Sequence, residues 1–102
     1  MKNFTEKCYE IVRTIPKGKV TTYKEIAQAL HSKGYRAVGH AMSTNKDVPH
    51  TPCHRVVGSQ GDITGYIHGT HKKRTMLKKE GVTFNGKKVD LKKHFYACLL
   101  YT

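Results

Sequence analysis

The sequence predicts one mainly helical domain with small β elements, organised as a winged helix-turn-helix. Three observations carry that expectation. Two short helical stretches, TTYKEIAQAL and YRAVGHAMSTN, are joined by the glycine-containing turn HSKGY. RVVG and DITGYI, linked by SQGD, read as a short hairpin and supply the wing. The chain has 102 residues, the size of one compact domain, and no linker, repeat or low-complexity segment divides it.

Taken in order, Phe4, Cys8, Ile11, Val12 and Ile15 share one face of a first helix. Asn3 or Thr5 caps its start, and Pro16 with Gly18 ends it. Thr22 and Glu25 have capping-box spacing at the second helix, which buries Ile26, Ala27 and Leu30. The third helix carries the small residues Ala37, Gly39 and Ala41, so its surface is low enough to lie close against a partner. Residues 45–51 are a polar loop. THKKRTMLKKEG is a further helix with Thr70 as its N-cap, Met76 and Leu77 inward and Gly81 as its stop. VTFNGKKV is a hairpin in which Asn85 and Gly86 take the positive φ angles of a type I′ turn. DLKKHFYACLLYT closes the chain as a terminal helix or ordered tail.

The charge narrows the function classes. Nineteen Lys and Arg stand against seven acids, a formal +12 at pH 7. A solvated surface, as in Lys-rich proteins of heat-adapted organisms, is the plain alternative, but a polyanionic partner such as nucleic acid fits the excess better. No run of about 18 apolar residues suits a membrane span, and the N-terminus lacks a secretory core. An intracellular protein without membrane association is expected, in the cytoplasm or nucleoid, or in a eukaryotic nucleus.

Three scattered cysteines with no C-x-x-C pair argue against a disulfide framework. Cys8 and Cys98 lie in apolar stretches and read as small core residues. His50, Cys53 and His54 match no closed zinc spacing, and His68 and His71 have no ligand partners, so no metal site is expected. Cys53 differs, because it sits in PHTPCHRVV beside a base and a cation, the groups that lower a thiol pKa. Taken alone, that stretch leaves the structural and the nucleophilic reading both open.

IPKGKVTTYKEIA (15–27), RAVGHAM (36–42), Asn45, PCHRVV (52–57), GY (65–66) and EGV (80–82) together resemble the O6-alkylguanine-DNA alkyltransferases. The resemblance spans about residues 4 to 84. It implies a direct-repair protein that binds duplex DNA in the minor groove and flips O6-alkylguanine, chiefly O6-methylguanine, out of the stack. The alkyl group passes irreversibly to a cysteine, in one turnover and with no cofactor. Cys53 takes the position of that nucleophile, His54 of the base acting through a water, and Glu80 of the carboxylate that orients it. Asn45 takes that of the asparagine bridging the cysteine loop to the helix-turn-helix. Tyr23 matches the tyrosine that presses on the target phosphate and protonates the leaving guanine. Arg36 matches the finger that fills the vacated stack. Thr22, Gly39 and Ser59 fall at DNA-contacting positions, and Met42, Val56, Tyr66 and Ile67 at the pocket wall.

Two departures bear on function. The family's usual N-terminal domain is not expected here, since residues 1–102 read as one DNA-binding and alkyl-accepting domain. Ile67 and His68 stand where many members have small residues, which narrows the alkyl side and favours methyl over large adducts. The short chain also resembles alkyltransferase-like proteins, lesion sensors that recruit excision-repair proteins but lack the cysteine. A sensor is therefore the alternative to a monomeric single-turnover transferase, and a winged-helix regulator a distant third.

Overall fold

Helix α1 spans Phe4–Thr14, and Asn3 caps it by accepting the Glu6 N–H at 2.9 Å. A two-residue strand, β1 (Thr21–Thr22), runs directly into α2 (Tyr23–Ala29), and α3 (Tyr35–Ser43) follows after the turn. A single 3₁₀ turn at Cys53–Arg55 leads into β2 (Val56–Val57). Then come α4 (Thr70–Lys79), β3 (Phe84–Asn85), β4 (Lys88–Val89) and the four-residue α5 (Leu91–His94). The computed structural model describes residues 3–32, 34–47, 50–63 and 69–98.

β1 and β2 pair in parallel, Thr21 opposite Val56 and Thr22 opposite Val57. Successive strand residues point to opposite faces, and the core divides accordingly. Val56 joins the larger cluster, with Cys8, Ile11, Val12, Ile26, Val38, Met42 and Cys53. Val57 joins a second cluster with Val20, Leu77, Val82 and Val89. The first arm of the expected wing thus also pairs with β1. Val56 and Val57 are both fully buried, a pattern suited to an inner strand. The Gly58 N–H donates to the Asp62 carbonyl at 2.9 Å, closing the turn towards the second arm, and Asp62 bridges Lys88 as well. The outer part of the expected wing, residues 64–68, lies outside the described residues.

Several local expectations shift for identifiable reasons. Thr22 Oγ1 accepts the Glu25 N–H at 3.0 Å, as a cap should, but the Glu25 carboxylate reaches the Cys98 N–H at 2.8 Å. The capping residue of α4 is Gly69, with φ at 93°, and Thr70 is its first helical residue. Gly81 ends that helix in a Schellman turn, with the Val82 N–H on the Leu77 carbonyl and the Gly81 N–H on that of Lys78, both at 3.0 Å. In the β3–β4 hairpin Asn85 pairs with Lys88, so Gly86 and Lys87 form the turn. Gly86 has positive φ and Lys87 does not, which is the type II′ pattern rather than type I′. Ala41 turns into the core and does not belong to the low outer surface of α3.

The C-terminal segment is tied back along β1. Val20 donates to the His94 carbonyl at 2.9 Å and accepts from the Tyr96 N–H at 2.7 Å. The His94 ring bonds through Nδ1 to the Gly18 carbonyl and through Nε2 to Thr83, so its two nitrogens join three segments.

Gly61, at φ 88°, meets the hairpin so closely that an added Cβ would lie 2.5 Å from the Val89 carbonyl oxygen. Gly39, within α3, has nothing within 4 Å of that position. Gly61→Ala is therefore expected to destabilise the fold by about 2–3 kcal/mol, and Gly39→Ala to stabilise it by up to about 1 kcal/mol. Urea unfolding midpoints of the two variants should move in opposite directions.

Candidate active site

Cys53 opens the 3₁₀ turn and is 3% exposed, and the next residue, His54, is 1% exposed. Two loop features hold the turn. Asn45, fully buried, donates through Nδ2 to the Thr51 carbonyl at 2.8 Å and accepts the Asp47 N–H at 2.9 Å. Arg13 donates to Thr51 Oγ1 at 2.9 Å, tying α1 to the same loop. Asn45 thus joins the end of α3 to the cysteine turn, the bridging place the family resemblance implies.

Behind the turn lies a shared carboxylate. Glu80, the C-cap of α4, faces His54 Nε2 at 3.0 Å. It also takes a two-point contact from Arg55, Nε to Oε1 at 2.9 Å and Nη2 to Oε2 at 2.7 Å. Arg55 Nη1 continues to the Ile15 carbonyl at 2.8 Å. Hydrogen bonds from Arg55 and His54 hold the Glu80 carboxyl below its usual range against the opposing effect of its own burial. Burial holds the His54 pKa below its ordinary value even with Glu80 beside it, so the ring is neutral at physiological pH. With Nε2–H donated to Glu80, the base lone pair sits on the buried Nδ1.

Lys73 is the residue that sequence reasoning missed. It is fully buried on α4, where positions 73, 77 and 80 share one helical face. Its ammonium lies 3.4 Å from the Tyr23 hydroxyl and 5.7 Å from the centre of that ring. Burial pushes its pKa down to about 8, opposed by the charges of Cys53 and Asp62. A lysine amid KKR reads as solvated surface, and only its i, i+4, i+7 relation to Leu77 and Glu80 signals otherwise. Arg55 was legible as a neighbour of Cys53 but not as the clamp on Glu80. The Cys53 thiol is raised by burial, and the Asn45 hydrogen bond and the Lys73 cation pull it back in part. The resting sulfur is a thiol with the Lys73 cation within electrostatic reach.

Tyr23, Met42, Val56 and Cys53 meet in the larger core cluster, Tyr23 only partly buried. Thr22 is the buried cap of α2. Arg36 is exposed in the first turn of α3, and Ser59 is exposed on the turn after β2. A cleft of about 720 Å³ runs between α2, the start of α3 and that turn, lined by Tyr23, Lys24, Tyr35, Ser59 and Asp62 among others. Arg36 and Gly39 are not brought to Cys53; they lie on the helix-turn-helix. Tyr66 and Ile67, named as pocket walls, lie outside the described residues. Among those residues, no helix is long and apolar enough to cross a membrane.

Residues 3–82 match the model of the 6-O-methylguanine DNA methyltransferase DNA-binding domain. A methylated-DNA–protein-cysteine methyltransferase of Candida glabrata is 48% identical over 82% of this chain and 41% of its own length. A bifunctional methyltransferase/endonuclease of Picrophilus torridus is 38% identical over 84% of this chain and 29% of its own. The chain thus spans less than half the length of these curated relatives. Among solved structures, Mycobacterium tuberculosis OGT in complex with DNA has a TM-score of 0.75 at 38% identity, covering 79% of this chain and 50% of that one. Schizosaccharomyces pombe Atl1, bound to damaged DNA containing O6-carboxymethylguanine, has a TM-score of 0.78 at 31% identity, covering 94% of this chain and 98% of that one.

The depressed pKa values of His54 and Glu80 fix the sign of the acid response. An unfolded chain binds these protons at higher pH than the folded one, so stability is full above about 6.5, the ordinary His value. It falls first as the pH drops below that value, and again below the ordinary Glu value as Glu80 protonates. Glu80→Gln should remove the second step and, by leaving Arg55 unpaired, cost about 3–5 kcal/mol at neutral pH. Lys73 runs the other way at neutral pH, because a buried cation with a depressed pKa opposes folding there. Lys73→Met is expected to stabilise the fold by about 1–3 kcal/mol at pH 7. Denaturant titrations across pH 4 to 8 measure both effects.

Proposed function

Because this chain belongs to the 6-O-methylguanine DNA methyltransferase family, whose DNA-binding domain its residues 3–82 match, we propose that it repairs O6-alkylguanine in duplex DNA by taking the alkyl group onto Cys53. The observation that carries the reading is the buried His54, next in sequence to the buried Cys53, with its Nε2 fixed on a Glu80 carboxylate that Arg55 clamps. A core cysteine needs no such assembly, and burying it is costly unless each charge is paired.

The reaction balances on these groups. The Cys53 S–H proton passes to His54 Nδ1 over a bridging water, and Glu80 stabilises the imidazolium that forms. Sγ attacks the alkyl carbon as its bond to guanine O6 breaks, the electron pair leaving with O6. Tyr23 gives its phenolic proton to the departing guanine. Lys73, against that hydroxyl, stabilises the phenolate left behind and also favours the thiolate. The product is a thioether, which no group in the site can reverse, so each molecule reacts once.

Arg36 enters the stack in place of the flipped base, Gly39 lets α3 approach the groove floor, and Thr22 and Ser59 contact the backbone. Met42 and Val56, packed with Cys53, form the inner wall of the base pocket, with Tyr66 and Ile67 on its alkyl side. A lesion-binding sensor is the less favoured reading, since it has no use for Cys53 or for a clamped base beside it.

Intact-protein mass spectrometry after mixing with a duplex bearing one O6-methylguanine is expected to show one methyl gained, on Cys53, and none in Cys53→Ala. Lesion-selective binding without mass gain would overturn the transferase reading. Tyr23→Phe should slow transfer by about 10²-fold, the usual scale for losing a positioned acid. Lys73→Met should slow it as well, in the same protein that unfolds at higher denaturant.

A further inference from the structure

The family model ends at residue 82, yet residues 83–98 are firmly built into the fold. They hold four lysines and one aspartate. The β3–β4 hairpin is pinned on two sides. On α4, the Arg74 guanidinium stacks 4.2 Å from the centre of the Phe84 ring and donates to the Gly86 carbonyl at 3.2 Å. On the turn after β2, the Val89 N–H donates to the Gly61 carbonyl at 2.8 Å and Lys88 bridges Asp62 through the backbone. That turn is the one that exposes Ser59 and Gln60.

Gln60, Lys88 and Lys92 line one shallow cleft of about 350 Å³, with half-buried Asp90 as its acidic member. Lys87 is exposed at the hairpin tip. None of Lys87, Lys88 and Lys92 makes an ion pair among the described residues. A rigid row of like charges with no internal partner repels itself in the free protein, and a polyanion lying along it relieves that repulsion.

We propose that the β3–β4 hairpin and the start of α5 extend the DNA-contacting surface beyond the Ser59 turn, with Lys87, Lys88 and Lys92 holding backbone phosphates that flank the lesion. This rests on the repair reading above. The hairpin's docking on Gly61 fixes its lysines relative to Ser59, so the added contacts come without ordering a loop. They are sequence-independent and act on affinity, leaving the chemistry at Cys53 untouched.

The test compares wild type with Lys88→Gln/Lys92→Gln for binding to a lesion-bearing duplex across a series of salt concentrations. Each lost phosphate contact lowers the slope of log affinity against log salt by about 0.9, so the double variant should lose about 1.8 and bind more weakly at low salt. Its single-turnover rate on saturating DNA should equal that of wild type, and Lys88→Arg/Lys92→Arg should retain the wild-type slope. An unchanged slope overturns the proposal, as does a slower rate on saturating DNA, which would make the hairpin a support of the site and not a contact. A wild type that binds no duplex at any salt would instead overturn the repair reading, and this inference with it.

Discussion

The Glu80 carboxylate accepts from two residues of the cysteine turn, and its position determines much else. It sits at the C-cap of α4, where a negative charge opposes the helix dipole and is mildly unfavourable. Arg55 offsets this by clamping both oxygens, and the other end of its guanidinium reaches the last carbonyl of the α1 region at Ile15. Three separated parts of the chain, α1, the 53–55 turn and α4, are thereby joined through one guanidinium and one carboxylate. His54 is held as a by-product of that clamp, since the oxygen it uses is already fixed by Arg55. The His54 ring is therefore held in place by contacts within the chain itself.

A second constraint works from the opposite side. The parallel pairing of β1 with β2 sets Thr22 beside Val57, and α2 begins at the next residue, Tyr23. Tyr23 is in this way measured off from the cysteine turn by two strand residues and one capped helix start. Lys73 then closes the ring from α4, touching Tyr23 and lying within electrostatic reach of Cys53. Burying a cation there works against folding, and under the proposed chemistry the same cation favours negative charge on sulfur and on the phenol, so stability and reactivity pull apart at this side chain.

Much of this was legible in the residues, and the illegible parts share a cause. The α1 stripe, the Asn3 and Thr22 caps and the Gly81 stop are local signals, each written within a few residues, and each appears in the structure. The pairing of the first wing arm with β1 was not legible, because strand partnership is a long-range matter. Val56 and Val57 pair with residues 35 positions earlier in the chain, and no local pattern says so. The hairpin turn falls at Gly86–Lys87, one residue past Asn85–Gly86, because Asn85 itself pairs with Lys88 in the ladder. The motif around Cys53 pointed to His54 and Glu80 through resemblance, and the structure joins those two side chains by a hydrogen bond. Arg55's clamp and Lys73's burial depend on three-dimensional packing and left only faint traces in the sequence.

The same distinction bears on the charge excess. Composition gives +12 but not where the charge faces. In the folded chain the basic residues separate into kinds. Arg55 is spent on Glu80, Lys73 is buried against Tyr23, and Arg13 engages Thr51 and Asp47. Lys78 lies over the Phe84 ring, while Lys87, Lys88 and Lys92 make no ion pair among the described residues. A protein of this size gains nothing in folding from a surplus of like charge. The unpaired lysines fit the proposed association with a polyanion, whereas the paired ones are explained by the fold. Backbone bonds from the hairpin to Gly61 and Asp62 hold its lysines at a fixed place relative to the Ser59 turn.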